Sequence, residues 1–225
     1  MELDPMSSPE VLPPVDWVAH LPGDPVAAFR EFLAGWYADV PPVGHARIDA
    51  PPPLAAFFEA AAGRREILTA YNELLGPAEW EKDDSGLWRF AVANQGSWSA
   101  LFDPAEEDPP VWYWGMSSEL LPERCRLSGF LMQFALTQVA MCGPALAMGE
   151  IEREQLTSLL APLRQVPLPA ASHPADVTHH YVGPGLVVVL MEYPDGRFEV
   201  YCGSRWRSPL RLLRALDVDW DVFHG

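Results

Sequence analysis

The sequence predicts an α+β fold, with a mainly antiparallel β-sheet of about six strands covered by several α-helices. Three observations support this fold class. Strand-like segments occur in two groups, at residues 87–115 and 177–202. Within each group they are joined by turn residues of the hairpin type rather than by the crossover helices of βαβ units. Segments with a helical spacing of apolar residues stand before, between and after the two groups.

The first group is rich in aromatic residues and holds four of the nine tryptophans. Strict alternation places Trp88, Phe90 and Val92 on one face of its first strand. Asn-Gln-Gly at 94–96 supplies residues that tolerate the positive φ of a reversing turn. The predicted elements are strands at 87–93, 97–102 and 111–115, the turn at 94–96 and an acidic loop at 103–110.

The residues before this group predict helices separated by breaks. Residues 1–15 are acidic and rich in proline, so we expect them to be disordered or loosely packed, ahead of one domain over 16–225. Asp24 is a good N-cap and Pro25 suits the first position of a helix over 24–38. The predicted elements that follow are a loop at 40–53 and a helical region at 53–75, broken at Gly63.

The residues after this group predict a buried helix and a second block of sheet. A helix that Ser128 would cap runs to Met141 and is apolar most of the way round, which predicts burial on more than one side. The segment at 185–193 is apolar on both faces and is therefore expected at the centre of its sheet. The other predicted elements are a loop at 116–126, a reversing turn at 194–196, helices at 150–163 and 208–216, and strands at 177–182 and 197–202.

The charge of the chain restricts its partners. The formal net charge is −16 at pH 7, which disfavours nucleic acid and anionic membranes. It permits a basic protein partner, and simple solubility is the alternative explanation. Cys125, Cys142 and Cys202 form no closely spaced pair, so we expect buried free thiols in a reducing cytoplasm. No signal peptide is recognisable, and the most apolar stretch, at 130–148, is interrupted by Gly143 and is expected to be a core helix.

Catalytic motifs are absent from the sequence, so we expect no enzyme and no cofactor. A group formed by His173, Asp176, His179 and His180 lies within eight residues and suggests a metal site. However, a strand over 177–182 would point His179 and His180 to opposite faces, where they could not bind one ion. A metal-dependent enzyme that uses His179 or His180 is the less favoured alternative.

The acidic loop and its tryptophans are the candidate partner-binding site. The loop lacks the spacing of an EF-hand and is either a solvated turn or a docking edge for a cationic partner. We expect one or two of its flanking tryptophans to be buried. The candidate residues are Trp98, Glu106, Glu107, Asp108, Trp112 and Trp114. The arginines at 207, 211 and 214 are expected to form a solvated helix face.

The central stretch resembles the SUKH superfamily, which includes fungal cell-wall assembly regulators and many bacterial immunity proteins. Phe90 followed by Asn-Gln-Gly at 94–96 is similar to that family's strand and turn, and Trp98 follows on the next strand. Asp-Pro-Pro-Val-Trp at 108–112 and Ala-Tyr-Asn-Glu-Leu-Leu-Gly-Pro at 70–77 resemble segments of a bacterial subgroup. The similarity is strongest over 64–114, and we expect residues 53–225 to form the SUKH-like part.

The resemblance implies an α+β protein-binding fold with no common catalytic residues. Bacterial members are typically inferred to neutralise a toxin by direct binding. Together with the charge, this predicts a non-enzymatic immunity protein that binds a basic toxin such as a nuclease. A regulatory or scaffold protein without a toxin partner is the alternative.

Overall fold

A computed structural model of the chain describes residues 11–41, 43–44, 47–115, 119–173, 175 and 177–225. The fold is α+β, as predicted, and its strands form two antiparallel six-stranded sheets. The helices are α1 (Pro25–Trp36), α2 (Pro52–Ala61), α3 (Glu66–Thr69), α4 (Leu127–Cys142) and α5 (Arg153–Leu160), with 3₁₀ helices at Asp16–His20, Pro77–Glu79 and Pro209–Ala215.

The first sheet lies before α4 in the chain, and the second sheet follows it. The first sheet has the order β1-β3-β4-β5-β6, with β2 also paired to β3, and the second has the order β12-β7-β11-β10-β9-β8. The strands of the first are β1 (Asn72–Leu74), β2 (Glu81–Lys82), β3 (Trp88–Ala93), β4 (Trp98–Phe102), β5 (Pro110–Gly115) and β6 (Leu120–Arg126). Those of the second are β7 (Ala145–Ile151), β8 (Arg164–Gln165), β9 (Val177–Gly183), β10 (Leu186–Glu192), β11 (Phe198–Ser204) and β12 (Val222–Phe223).

The helix α4 lies between the two sheets and contacts both of them. Residues 127–141 are all buried, which confirms the prediction of a helix covered on more than one side. One hydrophobic core therefore joins the inner face of the first sheet, α1, α2, α4 and the inner face of the second sheet. The opposite face of the second sheet has its own apolar cluster with α5 and the last 3₁₀ helix.

The start of α1 follows the sequence prediction. The Oδ1 atom of Asp24 accepts a hydrogen bond from the main-chain nitrogen of Ala27 at 2.9 Å, and Pro25 occupies the first helical position. Before this helix, Pro13 is buried, whereas residues 1–10 of the segment predicted to be loose lie outside the described residues. The aromatic and aliphatic residues of the first quarter contribute to the shared core from Trp17 onward.

Strand β10 confirms the prediction of a central position, because β9 and β11 flank it on both edges. The hairpin between β10 and β11 turns at Gly196, at the end of the predicted turn, and this glycine has a positive φ of 85°. In the first sheet, Gly96 has a φ of 67° at the predicted turn between β3 and β4. The turn residues themselves thus determine these two hairpin connections.

Four sequence predictions were wrong about element type or side-chain direction. Residues 72–74 were expected to end a helix, but they form β1, which pairs with β3. Residues 120–126 were expected to be a loop, but they form β6. Residues 150–151 were expected to begin a helix, but they are the last residues of β7. These strands exist because a neighbouring strand pairs with them, which overrides weak local propensity. In β3, a bulge between Arg89 and Ala91 turns both Phe90 and Ala91 into the core, so Val92 lies on the opposite face from Phe90.

Within the described parts of the chain, no helix has the length and apolar character needed to cross a membrane.

Candidate functional site

The six residues predicted to bind a partner are divided between three places on the first sheet. Strand β4 pairs with β5 so that Trp98, Ala100 and Phe102 face the core, whereas Ser99 and Leu101 face outward. Trp98 is only 5% exposed and is therefore a core residue. The prediction that one or two of the three tryptophans are buried is confirmed for Trp98.

Trp112 and Trp114 lie on the outer face of the first sheet. They pair with Leu101 and Ser99 of β4, respectively, and Leu120 of β6 lies opposite Trp114. Trp114 is 50% exposed and Leu120 is 38% exposed, whereas Trp112 is half-buried. These three residues form an apolar patch, here called the outer patch, and exposed tryptophan beside leucine is typical of protein-binding surfaces.

A groove of about 470 Å³ runs beside the outer patch. Trp114, Leu120 and Leu101 form its apolar side, and the other lining residues are Ser99, Arg89 and residues 81–85. Arg89 donates a hydrogen bond to Glu81 at 2.5 Å across this face. The groove therefore offers both apolar area and polar groups to an incoming chain.

The acidic loop is held in place by its own carboxylates. Asp103 accepts a hydrogen bond from the main-chain nitrogen of Ala105 at 2.9 Å. Asp108 accepts from both the main-chain nitrogen and the hydroxyl of Ser128, at 2.9 and 2.8 Å. Ser128 was predicted to cap α4 itself, but Asp108 supplies the capping acceptor from a distant part of the chain. Asp108 is thus a structural residue of the helix start.

Glu106 and Glu107 line a cleft of about 650 Å³ on the edge of the first sheet. Its apolar walls are Trp80, Trp88 and Phe102, and four prolines complete them. A third carboxylate, Asp49, also lines it. We call this space the Trp88 cleft. It combines aromatic walls with acidic groups, which is the surface chemistry that attracts a cation.

Trp98 borders a small cavity of about 20 Å³ below the sheet. The ring of His173 lies 4.6 Å from that of Trp98, and Gln133 and Thr137 of α4 also line the space. Burial lowers the pKa of His173 to about 4. This volume holds little more than a water molecule, so the cavity is too small for a substrate.

The histidine group does not converge on one point. His180 is buried in β9 and its Nε2 lies 3.0 Å from the hydroxyl of Thr137, whereas the adjacent His179 is half-buried on the other face. Burial lowers the pKa of His180 to about 3, with a further contribution from His179. Asp176 lies outside the described residues. Among those described, no three His, Cys, Asp or Glu side chains are placed to hold a metal ion.

The cysteines and the arginine group are the other candidates from the sequence. All three cysteines are free thiols; Cys125 and Cys202 are buried as expected, but Cys142 is exposed at the end of α4. Burial raises the pKa of Cys125 to about 12, which keeps it protonated. Arg207, Arg211 and Arg214 are exposed, as predicted for a solvated face.

Several residues of these surfaces were not predicted from the sequence. Trp80 and Trp88 form the Trp88 cleft, and Leu120 completes the outer patch. The spacing of Trp80 and Trp88 around the charged segment 81–86 was a usable signal, since a hairpin over that segment brings the two ends together. Leu120 lies in a strand that the sequence did not reveal.

Comparisons with protein-family models, curated proteins and solved structures give no match for this chain.

Proposed function

We propose that this chain is a non-enzymatic protein-binding module whose partner is a basic protein. The observation that carries the proposal is the outer patch, in which Trp114 is half-exposed beside Leu120 on an open sheet face. Tryptophan supplies a large contact area at low entropic cost and is a frequent anchor of protein interfaces. The net charge of −16 favours a partner of opposite charge.

The resemblance to the SUKH superfamily makes an immunity protein the most specific form of the proposal. In that form the chain binds a basic toxin, such as a nuclease, in the cytoplasm and blocks its active surface. The outer patch would provide the apolar contact, and Glu106 and Glu107 would attract the positive surface of the toxin. Asp108 and Trp98 are not part of this contact, because they serve the start of α4 and the core.

The test first captures a partner with the native chain and then compares its binding with that of variants at Trp114, Leu120 and Leu212. The retained protein is identified and purified, and its affinity is then measured by calorimetry. We expect Trp114→Ala and Leu120→Ser each to weaken binding at least about tenfold, or ~1.4 kcal/mol. Leu212→Ser is the control, since Leu212 is 63% exposed on the 3₁₀ helix Pro209–Ala215, which is not part of the first sheet.

Two further outcomes separate the forms of the proposal. Loss of affinity with added salt is expected for a basic partner. If co-expression of the chain protects cells from that partner, the immunity form is supported; if the partner is harmless alone, a regulatory or scaffold role is supported instead. Equal affinity of the native chain and Trp114→Ala would contradict the outer patch as the binding surface.

A further inference from the structure

We infer that the Trp88 cleft is a subsite for an arginine side chain, carried by an extended segment of the protein partner. The inference rests on the proposed function for the source of the arginine, but the subsite can be tested without the partner. Three properties of the cleft support it: fixed aromatic walls, unshared negative charge and a tryptophan ring that already holds a cation.

The walls of the cleft are held rigidly. The indole nitrogen of Trp80 donates a hydrogen bond to the main-chain oxygen of Leu75 at 2.9 Å. Its ring meets the fully buried ring of Phe102 edge-on, with the centroids 5.8 Å apart. Trp88 is held in β3 by pairing with Phe102 on one side and Lys82 on the other. A preformed wall loses little entropy when a ligand binds.

The charge of the cleft is negative and mostly not neutralised. Asp49, Glu106 and Glu107 line it, and none of its described lining residues is lysine or arginine. Glu106 forms an ion pair with Arg126 at 2.7 Å. Glu107 and Asp49 form no ion pair within the described residues. Two carboxylates are therefore available for a cation from outside.

The ring of Trp88 already interacts with a cation inside the chain. The Nζ atom of Lys82, the only lysine of the sequence, lies 5.1 Å from the centroid of this ring. Lys82 lines the groove of the outer patch and not the Trp88 cleft. The ring therefore already makes one cation–π contact, in which a cation is attracted to the electron-rich face of an indole.

Arginine fits this combination better than lysine or a metal ion. Its planar guanidinium stacks on an aromatic ring while it donates paired hydrogen bonds to a carboxylate, whereas an ammonium is a compact, strongly hydrated charge. A metal ion would gain nothing from tryptophan and proline walls. The volume of about 650 Å³ exceeds one side chain, so the residues flanking the arginine also enter the cleft.

The experiment is a titration of the whole chain with the blocked peptide Gly-Gly-Arg-Gly-Gly, followed by the NMR signals of the tryptophan indole groups. We expect saturable shifts of the Trp80 and Trp88 signals, while Trp220 in the C-terminal segment stays unchanged. The same peptide with citrulline, which has the shape of arginine but no charge, should bind roughly tenfold more weakly, and the lysine peptide a few-fold more weakly.

Matched variants locate the subsite. Glu107→Gln should weaken the arginine peptide about threefold, whereas Glu154→Gln, which removes an equal charge from an exposed position on α5, should not. Trp88→Phe, which preserves an aromatic ring, should weaken it less than Trp88→Leu. Equal affinity for the arginine and citrulline peptides, or shifts confined to other tryptophans, would overturn the inference.

The outcomes also separate this inference from the proposed function. Trp114→Ala should leave the peptide affinity unchanged, because Trp114 lies on the opposite face of the sheet. A partner that depends on Trp114, together with a peptide that fails to bind the Trp88 cleft, would overturn the arginine subsite alone. A peptide that binds the cleft, together with a partner insensitive to Trp114→Ala, would support the subsite and contradict the outer patch.

Discussion

Asp108 and Ser128 are joined by two hydrogen bonds that close the acidic loop onto the first turn of α4. The main-chain nitrogen and the hydroxyl of Ser128 are both donors to the same carboxylate. The sequence separation of 20 residues makes this a tertiary helix cap. The position of the loop, and with it of Glu106 and Glu107 at the Trp88 cleft, thus depends on the helix at the centre of the fold.

Removal of this cap should destabilise the protein. Asp108→Ala leaves the nitrogen of Ser128 without its acceptor, and we expect the free energy of unfolding to fall by about 1–2 kcal/mol. Asp108→Asn retains one acceptor oxygen and should cost less. Urea denaturation measures both, and Glu107→Ala serves as the control with an expected change within about 0.5 kcal/mol. A cost for Glu107→Ala equal to that for Asp108→Ala would refute the cap.

Two glutamines of α4 should differ sharply in their importance for stability. The Oε1 atom of Gln138 accepts hydrogen bonds from the main-chain nitrogens of Tyr71 and Asn72 at 2.8 and 2.9 Å, and its Nε2 donates to the oxygen of Asn72 at 2.6 Å. Gln138→Leu therefore leaves several buried main-chain groups unpaired, and we expect a loss of at least ~3 kcal/mol.

Gln133 is the matched position, since it is a second buried glutamine of the same helix. Its Nε2 donates to the main-chain oxygen of Pro169 at 2.7 Å, but its buried Oε1 has no hydrogen-bond partner among the described residues. Gln133→Leu should cost less than about 1.5 kcal/mol, because it also removes a buried acceptor that lacks a partner. The free energies come from denaturant unfolding of both variants, and similar costs would contradict the different roles.

The stability of the protein should decrease as the pH falls from about 7 to 4. Burial lowers the pKa of His180 to about 3 and that of His173 to about 4 in the folded chain, whereas an exposed histidine has a pKa of about 6.5. Below pH 6.5 the unfolded chain therefore binds protons that the folded chain does not, which favours unfolding by up to ~1.4 kcal/mol per pH unit for each histidine.

Replacement of His180 tests this dependence. His180→Gln should flatten the curve of unfolding free energy against pH between about 6 and 4, whatever its effect on stability at neutral pH. His224→Gln is the control, since His224 is exposed in the C-terminal segment, and it should retain the slope. Chemical denaturation at a series of pH values provides the measurement, and an unchanged slope in His180→Gln would argue against a buried neutral imidazole.

The close approach of α4 to β11 should make Gly203 intolerant of any side chain. A Cβ atom at this position would lie 2.0 Å from the main-chain oxygen of Val139 and 2.6 Å from the Cα atom of Ala140. Gly203→Ala should therefore lower the unfolding temperature by roughly 10 °C or prevent folding. At Gly115 the nearest atom to such a Cβ is 3.7 Å away, so Gly115→Ala should shift the temperature little, and equal shifts would contradict the packing.

The parts of the fold that the sequence predicted are those with a local cause. Asp24 and Pro25 determine the start of α1, Gly96 and Gly196 determine two turns, and an apolar run identifies β10. The strands β1, β6 and β7 were missed because each is short, polar or irregular by itself and is stabilised by a partner strand. Pairing between strands is a long-range interaction that periodicity does not report.

The candidate site was predicted in its composition but not in its arrangement. Tryptophans and carboxylates of 98–114 were selected as one group, yet the pleat separates Trp98 from Trp112 and Trp114. Asp108 is used by α4, and Glu106 and Glu107 line a cleft with Trp80 and Trp88 instead. Which face a residue occupies depends on register and bulges, and these are set by the whole sheet.

The position of α4 between the two sheets has a consequence for folding while the chain is being synthesised on the ribosome. Every strand of the first sheet precedes α4 in the chain, and every strand of the second sheet follows it. The inner side chains of the first sheet, among them Phe90, Phe102 and Val111, are thus synthesised before the helix that covers them. A nascent chain halted before Leu127 would hold these rings open to water and to its neighbours, which is the condition under which unfinished proteins need a chaperone.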